Sequence, residues 1–315
     1  MNSDLSANRA DPVLHGMLFV LLAAILWGTT GTTQAFAPAG ATPLSVGFVR
    51  IGFGTVSLAV IAAYHGHLPS LRLWRSWPIG TTAVAAAAIA AYQLFFFAAV
   101  ARTGVAVGTI VGIGSTPVAA GLLAIIVYRQ RPEKGWTFST FLALAGSALL
   151  ILAGGDIRVN GIGILLAIAA GSSYALYTLA SKELLAKQRR GAVLLVTFTL
   201  GTLLMLPLAA ATDFSWLAEP RGLLVAIQLG VVTVGVAYQL YARGLCTVSV
   251  HATATLTLAE PLTAGLLGTV VLGETLGSVS IAGILLIFAG LVLLVVQPER
   301  IRLYLSQLDI GQRSS

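Results

Sequence analysis

TLTLAEPLTAGLLGTVVLGE, residues 255–274, decides the architecture. It is an apolar run with Pro261 in its interior and one carboxylate, Glu260, inside it. Part of it occurs twice. Residues 117–123 read PVAAGLL and residues 261–267 read PLTAGLL, an offset of 144. The same offset relates Ala145-Gly146 to Ala289-Gly290, and AYQL at 91–94 recurs at 237–240, an offset of 146. Two identical tetrapeptides in near register mark a duplicated chain.

Composition sets the class. The chain is 57% hydrophobic and 9% charged, against about 25% charged residues in a soluble domain. The charges are clustered, so runs such as 103–128, 159–181 and 275–298 contain no Asp, Glu, Lys or Arg. A membrane-crossing helix needs about 20 mostly apolar residues. The reading is an all-α membrane protein with ten transmembrane helices, at about 14–36, 43–64, 78–100, 103–127, 136–154, 161–181, 191–211, 222–242, 244–272 and 277–297. The net charge of +7 does not point to nucleic acid, because the basic residues sit in short loops between spans. The single cysteine, Cys246, cannot form an internal disulfide. The first apolar stretch is too long for a signal peptide and is expected to be retained.

Orientation follows from the basic residues. Arg102, Arg158 and Arg221 fall in loops opposite the N-terminus and Arg50 falls within a span; the other fourteen of the eighteen lie on the side of the N-terminus. Both termini are therefore expected in the cytoplasm, with residues 1–13 and 298–315 as tails. In the second tail Ile301, Tyr304, Leu305 and Leu308 share one helical face, suited to a membrane surface; a frayed tail is the other reading. Each copy holds five spans, 14–154 and 161–297. Five is odd, so the second copy enters the membrane from the opposite side. Two inverted repeats with a site between them are the arrangement that carriers use for alternating access.

Candidate site residues come from groups that hydrocarbon does not tolerate alone. Arg50 lies in span two, and His251 and Glu260 in span nine. A charge there needs a partner or a watery cavity. Arg50 either snorkels to the headgroups or anchors a carboxylate. Glu260 recognises an ammonium group, carries a proton, or caps the Pro261 kink. His251 either relays protons or is a packed, hydrogen-bonded core residue. Glu274 ends its span and reads as an interfacial group. Tyr92, Gln93 and Phe96 on span three have Tyr238 and Gln239 as repeat counterparts on span eight, and Trp27 on span one answers roughly to Tyr174 on span six. Lined by these rings, a cavity suits a flat or apolar ligand with a polar head; ordinary packing is the plainer alternative. Pro117 and Pro261 each remove a backbone hydrogen bond and predict bends that act as hinges, each leaving a carbonyl for a cavity. The glycines at 104, 108 and 112 read as a packing stripe.

Some signatures are missing from the sequence. It has no G-x-x-x-x-G-K-[ST] phosphate loop and no H-E-x-x-H pair, and no TVGYG filter. No enzyme activity, metal or cofactor is expected.

Trp27-Gly28, the Pro-x-x-Ala-Gly segments of spans four and nine, the run from Glu260-Pro261 to Gly273-Glu274, and Gly283 with Ala289-Gly290 resemble the drug/metabolite transporter superfamily in its EamA-type branch. The first half departs from the pattern: Thr116 stands where Glu260 stands, and Gln130 where Glu274 stands. The resemblance covers about residues 14–297. It implies a ten-helix carrier of small metabolites in a bacterial inner membrane, often an amino-acid exporter, and is similar to the YddG-type aromatic amino-acid exporters. The expectation is a monomeric secondary carrier that exports aromatic or other apolar amino acids. Trp27, Tyr92, Phe96, Tyr174 and Tyr238 take the side chain, Gln93 and Gln239 the polar head, and Arg50 and Glu260 the charged ends. The alternatives are a broad-specificity exporter of drugs or nucleotide sugars, a channel-like facilitator, and a scaffold without cargo.

Overall fold

The structure, a computed structural model, describes residues 12–66, 77–129, 135–152, 160–272 and 277–295. Every regular element among them is helical. In order they are α1 (Pro12–Ala35), α2 (Pro43–Tyr64), α3 (Ile79–Tyr128), α4 (Trp136–Leu152), α5 (Gly161–Lys187), α6 (Arg190–Ala209), α7 (Pro220–Ile227), α8 (Ala237–Thr247), α9 (Val250–Leu256), α10 (Ala259–Leu272) and α11 (Ser278–Val295). A short 3₁₀ turn, Ser215–Ala218, precedes α7, and a π-helical segment, Gln228–Val236, joins α7 to α8. Gln130, Glu274 and the stretch 301–308 lie outside the described residues.

Unlike a soluble domain, the bundle is apolar on its outer surface as well as in its core. On α1, Met17, Val20, Ala24 and Trp27 are buried while Leu14, Leu18, Leu22 and Ile25 form an exposed apolar stripe. Such a stripe is at rest only against lipid. Seven helical segments among the described residues are long and apolar enough to cross a membrane, and three shorter apolar helices, Val111–Val127, Trp136–Leu149 and Ile281–Val295, accompany them.

Helix α3 spans both the third and the fourth predicted segment in one run of 50 residues. It does not run straight. A Cβ added at Gly112 would touch the Phe96 ring at 3.5 Å, whereas sixteen residues of straight helix cover about 24 Å. Tyr92 and Gly112 also both pack on the same part of α5, near Tyr174 and Gly171. The run therefore doubles back between Phe96 and Gly112.

One boundary differs from expectation. Span eight continues through Arg243 and ends at Thr247; span nine starts at Val250, where the Ser249 hydroxyl caps it by accepting from the Ala252 N–H. Arg243, expected from its charge in a loop on the side of the N-terminus, is a helical residue of α8, and its long side chain carries the guanidinium over Phe19 of α1. The predicted bend at Pro261 is a break at Thr257 and Leu258, between α9 and α10. The proline ring clashes with the residue four back, here Thr257. The Thr257 carbonyl is not left for the cavity: it accepts from the Glu260 N–H at 2.9 Å. The Thr257 hydroxyl turns back onto the Ala254 carbonyl at 2.7 Å.

Equivalent residues of the two sequence copies meet. A Cβ on Gly146 of α4 would strike the backbone of Gly283 and Ile287 of α11, and one on Gly290 would strike the backbone of Ser139 and Ala143 of α4. Subtracting 144 turns the first set of contacts into the second. Residue i touches j while j's equivalent touches i's, as across a two-fold axis. As numbers rise along α4 they fall along α11, so these equivalent helices run antiparallel. Thr55 of α2 and Thr202 of α6, 147 apart, likewise share a hydroxyl–hydroxyl hydrogen bond of 2.9 Å.

Candidate functional site

A chamber lies where the two copies face each other, lined by Trp27, Arg50, Tyr92, Ile113, Thr116, Tyr174, Tyr238, Thr257 and Glu260. Eight of these nine form four repeat-related pairs: Trp27 with Tyr174, Tyr92 with Tyr238, Ile113 with Thr257, and Thr116 with Glu260. The last two pairs share one cause. Ile113 and Thr257 stand four residues before Pro117 and Pro261, and Thr116 and Glu260 stand one before. The two prolines thus place equivalent residues on the chamber wall. Arg50 is the ninth residue and has no basic counterpart near 194–197.

Close backbone approach sets this wall. The first helix of each copy presents a glycine to the proline-bearing helix of the other. A Cβ at Gly28 of α1 would meet the Glu260 carbonyl at 2.8 Å and the Thr263 side chain at 2.5 Å. A Cβ at Gly171 of α5 would meet the Gly112 carbonyl at 2.3 Å and the Thr116 nitrogen at 3.0 Å. Without a hydrophobic force between helices in lipid, such backbone contacts hold the bundle together.

Arg50 is positioned from the same logic. Arg50, Phe53, Gly54 and Ser57 recur at three- and four-residue spacing and share one face of α2. That face lies tight against the π-helical segment. A Cβ at Gly230 would meet Phe53 Cβ at 2.3 Å, one at Gly54 would meet Val234 at 2.4 Å, and one at Gly235 would meet Ser57 Oγ at 2.1 Å. Arg50 Nε then donates to the Thr233 hydroxyl at 3.1 Å, and the Trp27 indole N–H donates to the Thr233 carbonyl at 2.7 Å. Thr233 thus holds one aromatic and one cationic wall residue at once. π-Helical turns gather at functional sites because they re-aim backbone groups.

The aromatic side of the chamber is a continuous stack. Trp27 lies 5.0 Å from Tyr238 and 6.2 Å from Tyr174, and Tyr174 lies 5.1 Å from Tyr92, by ring centroids. Phe96 extends it at 5.7 Å from Tyr92, and Tyr177, Phe198 and Tyr241 back it from outside the lining. The Tyr241 hydroxyl is satisfied by Thr178 at 2.7 Å. The Tyr174 hydroxyl is fully buried within this stack. The cavity between these walls is about 20 Å³, room for roughly one water molecule.

Six of the expected site residues line the chamber: Trp27, Arg50, Tyr92, Tyr174, Tyr238 and Glu260. Phe96 stands one turn away, against Tyr92. Gln93 is buried beside it but off the lining. Gln239 lines a different cavity, with Arg190 and Arg243. Neighbouring residues on a helix diverge by about 100°, so Tyr92 and Gln93, or Tyr238 and Gln239, do not share one chamber. His251 is buried a helix and a half-turn away from Glu260. Its Nε2 pairs with the Ser249 hydroxyl at 3.1 Å and its ring stands edge-on to Trp136 at 5.5 Å. Thr233, Ile113 and Thr257 were not singled out from sequence. The repeat offset around the prolines points to the last two. Nothing in GVVTVGV announces the first.

The chain matches the EamA-like transporter family twice, over residues 14–152 and 161–296. It is 43% identical over 285 residues to the "Uncharacterized transporter YwfM" of Bacillus subtilis (strain 168), covering 90% of this chain and 94% of that protein. It is 23% identical to the "Uncharacterized inner membrane transporter YicL" of Salmonella typhimurium (strain LT2), over 90% of this chain and 96% of the relative. A crystal structure 20% identical superposes with a TM-score of 0.76 over 91% of this chain and 98% of its own, which shows a shared fold. The helical segments, the duplicated sequence and the family match agree: the chain belongs to the EamA-like transporter family of the drug/metabolite transporter superfamily and is a multi-pass membrane transporter.

Proposed function

We propose that this transporter is a secondary carrier that exports amino acids with aromatic or other apolar side chains across a bacterial inner membrane. The observation that carries the reading is the composition of the chamber wall: four repeat-related pairs, two of them aromatic and one containing Glu260, plus Arg50. The rings offer faces to a flat side chain. Arg50 offers a planar donor set to the carboxylate. Glu260 accepts from the ammonium group. Ten spans are arranged as two inverted five-helix halves, 14–154 and 161–297, with both termini cytoplasmic and one chain sufficient for transport. The antiparallel pairing of α4 with α11 through equivalent glycines supports the inversion.

Alternating access then has a physical form. At about 20 Å³ the chamber holds water and no amino acid, so cargo enters only when the proline-bearing helices part from α1 and α5. The contacts of Gly28 and Gly171 are the ones that must slide. Inversion makes opening to one side the mirror of opening to the other.

The test is counterflow into liposomes holding purified protein, preloaded with one unlabelled amino acid at a time. Accumulation of label with Trp, Phe or Tyr is expected. Accumulation with many unrelated amino acids keeps the carrier and removes the aromatic preference. No accumulation with any amino acid, with uptake of a drug or nucleotide sugar instead, moves the cargo to another class.

A further inference from the structure

A second cavity, of about 290 Å³, is lined by Ile61, His65, Arg190, Val236, Gln239, Leu240 and Arg243. It sits where the end of α2, the start of α6 and the first two turns of α8 meet, toward the end of the bundle where α1 begins. It shares no residue with the chamber. Val236, the last residue of the π-helical segment, and Gln239, Leu240 and Arg243 of α8 are spaced three and four apart and form one face. The polar groups are two guanidiniums, an imidazole and a carboxamide, and no carboxylate lines the cavity. Its other walls are apolar, and Val236 is 41% exposed toward the lipid side of the bundle.

Two details show more than a loose basic rim. Arg243 is held in place, its guanidinium 5.9 Å over the Phe19 ring of α1. The mouth is braced, since Arg189 Nη1 donates to the Gly66 carbonyl at 3.3 Å and ties the end of α2 to the start of α6. Gln239 is half-buried beside exposed Val236 and partly buried Leu240. An amide at that depth demands hydrogen-bonding groups that hydrocarbon does not supply.

We infer that this cavity binds an anionic phospholipid, its phosphodiester between Arg190 and Arg243, its glycerol oxygens on Gln239, and its acyl chains along Ile61, Val236 and Leu240. Arginine matches phosphate oxygens in a bidentate fork, and basic pockets between helices at the cytoplasmic face suit anionic headgroups. A soluble anion uses the arginines but not the apolar wall; the wall is what commits the site to lipid.

The experiment is native mass spectrometry of the full-length protein, delipidated in detergent and offered phosphatidylglycerol or phosphatidylcholine of equal chain length. The wild type is expected to retain phosphatidylglycerol roughly thirtyfold better, from about one arginine's worth of surface attraction for each of two arginines. The preference falls toward unity in R190Q/R243Q, survives in R190K/R243K in large part, and weakens as salt is raised on the wild type. Gln239→Leu lowers retention of both lipids. If the double variant fails to fold, R190Q alone, at an exposed helix start, and the salt series on the wild type carry the test. Equal retention of both lipids by the wild type overturns the inference. So does displacement of phosphatidylglycerol by inorganic phosphate or glycerophosphate at equal concentration, which makes this a soluble-anion site.

Discussion

Pro117 and Pro261 stand at the same point of the two sequence copies, and the chain treats them differently. Helix α3 carries Pro117 without interruption, with the Ser115 and Thr116 hydroxyls both turned onto the Gly112 carbonyl. Before Pro261 the helix stops after Leu256 and restarts at Ala259. The pre-proline residue is a threonine in one copy and Glu260 in the other. The other asymmetric polar groups, Arg50 and the π-helical Thr233, have no counterparts of like chemistry. The shared pattern builds the cavity, and the departures from it supply charge. On the proposed function, the duplicated scaffold sets the position of the cargo site and the divergence of its two copies sets what is recognised.

That contrast can be broken most severely at Arg50. Arg50→Ala removes the only basic wall residue of the chamber, and uptake kcat/KM is expected to fall about a hundredfold, as for loss of a desolvated charge contact. Normal uptake by this variant removes Arg50 from the scheme. Next come the two pre-proline positions. Glu260→Gln is expected to cost about tenfold or more in transport, while Thr116→Val, its counterpart, costs less than about twofold. Equal effects at both positions mean that the site is chemically symmetric.

The prolines themselves sharpen the comparison further. Pro261→Ala lets α9 and α10 join by restoring an N–H and relieving the clash at Thr257. Turnover is expected to drop several-fold with KM little changed, while Pro117→Ala, in a helix already continuous, changes turnover less. The smallest effect is expected outside the membrane. The Asp213 carboxyl accepts from the Ser215 N–H and hydroxyl at 2.8 and 2.7 Å, which holds it below the usual carboxylate range. Its contribution to stability is present above the unfolded value and is lost as pH falls through the lowered folded value. Asp213→Asn removes that acid-side dependence of melting and leaves transport unchanged; a fully exposed group moves the melting temperature little.

How much of this was legible beforehand follows from the physics of each signal. Two identical tetrapeptides at nearly one offset exposed the duplication, and hydropathy over about 20 residues exposed the helices. The aromatic wall was legible because Trp27, Tyr92, Tyr174 and Tyr238 recur with the repeat. Gln93 and Gln239 were drawn in with their neighbours, although adjacent helical positions face apart. Arg243 reads as a loop residue because a cation interrupts an apolar run; the stop signal is the Ser249 cap, six residues on. Thr233 gives no sign in the sequence: what places it is the tight packing of α2 on the π-helical segment, which no local motif announces. The doubling back of α3 near Arg102 was legible only as that one charge between two apolar runs.

The most direct measurement is cargo protection of a thiol in the chamber wall. Thr116→Cys, with Cys246→Ser to leave one thiol, is reacted with a membrane-impermeant reagent from each side of oriented vesicles. The account predicts slow labelling from either side and strong protection by the amino acid that gives counterflow. Labelling that ignores every transported substrate contradicts it and places the cargo site elsewhere.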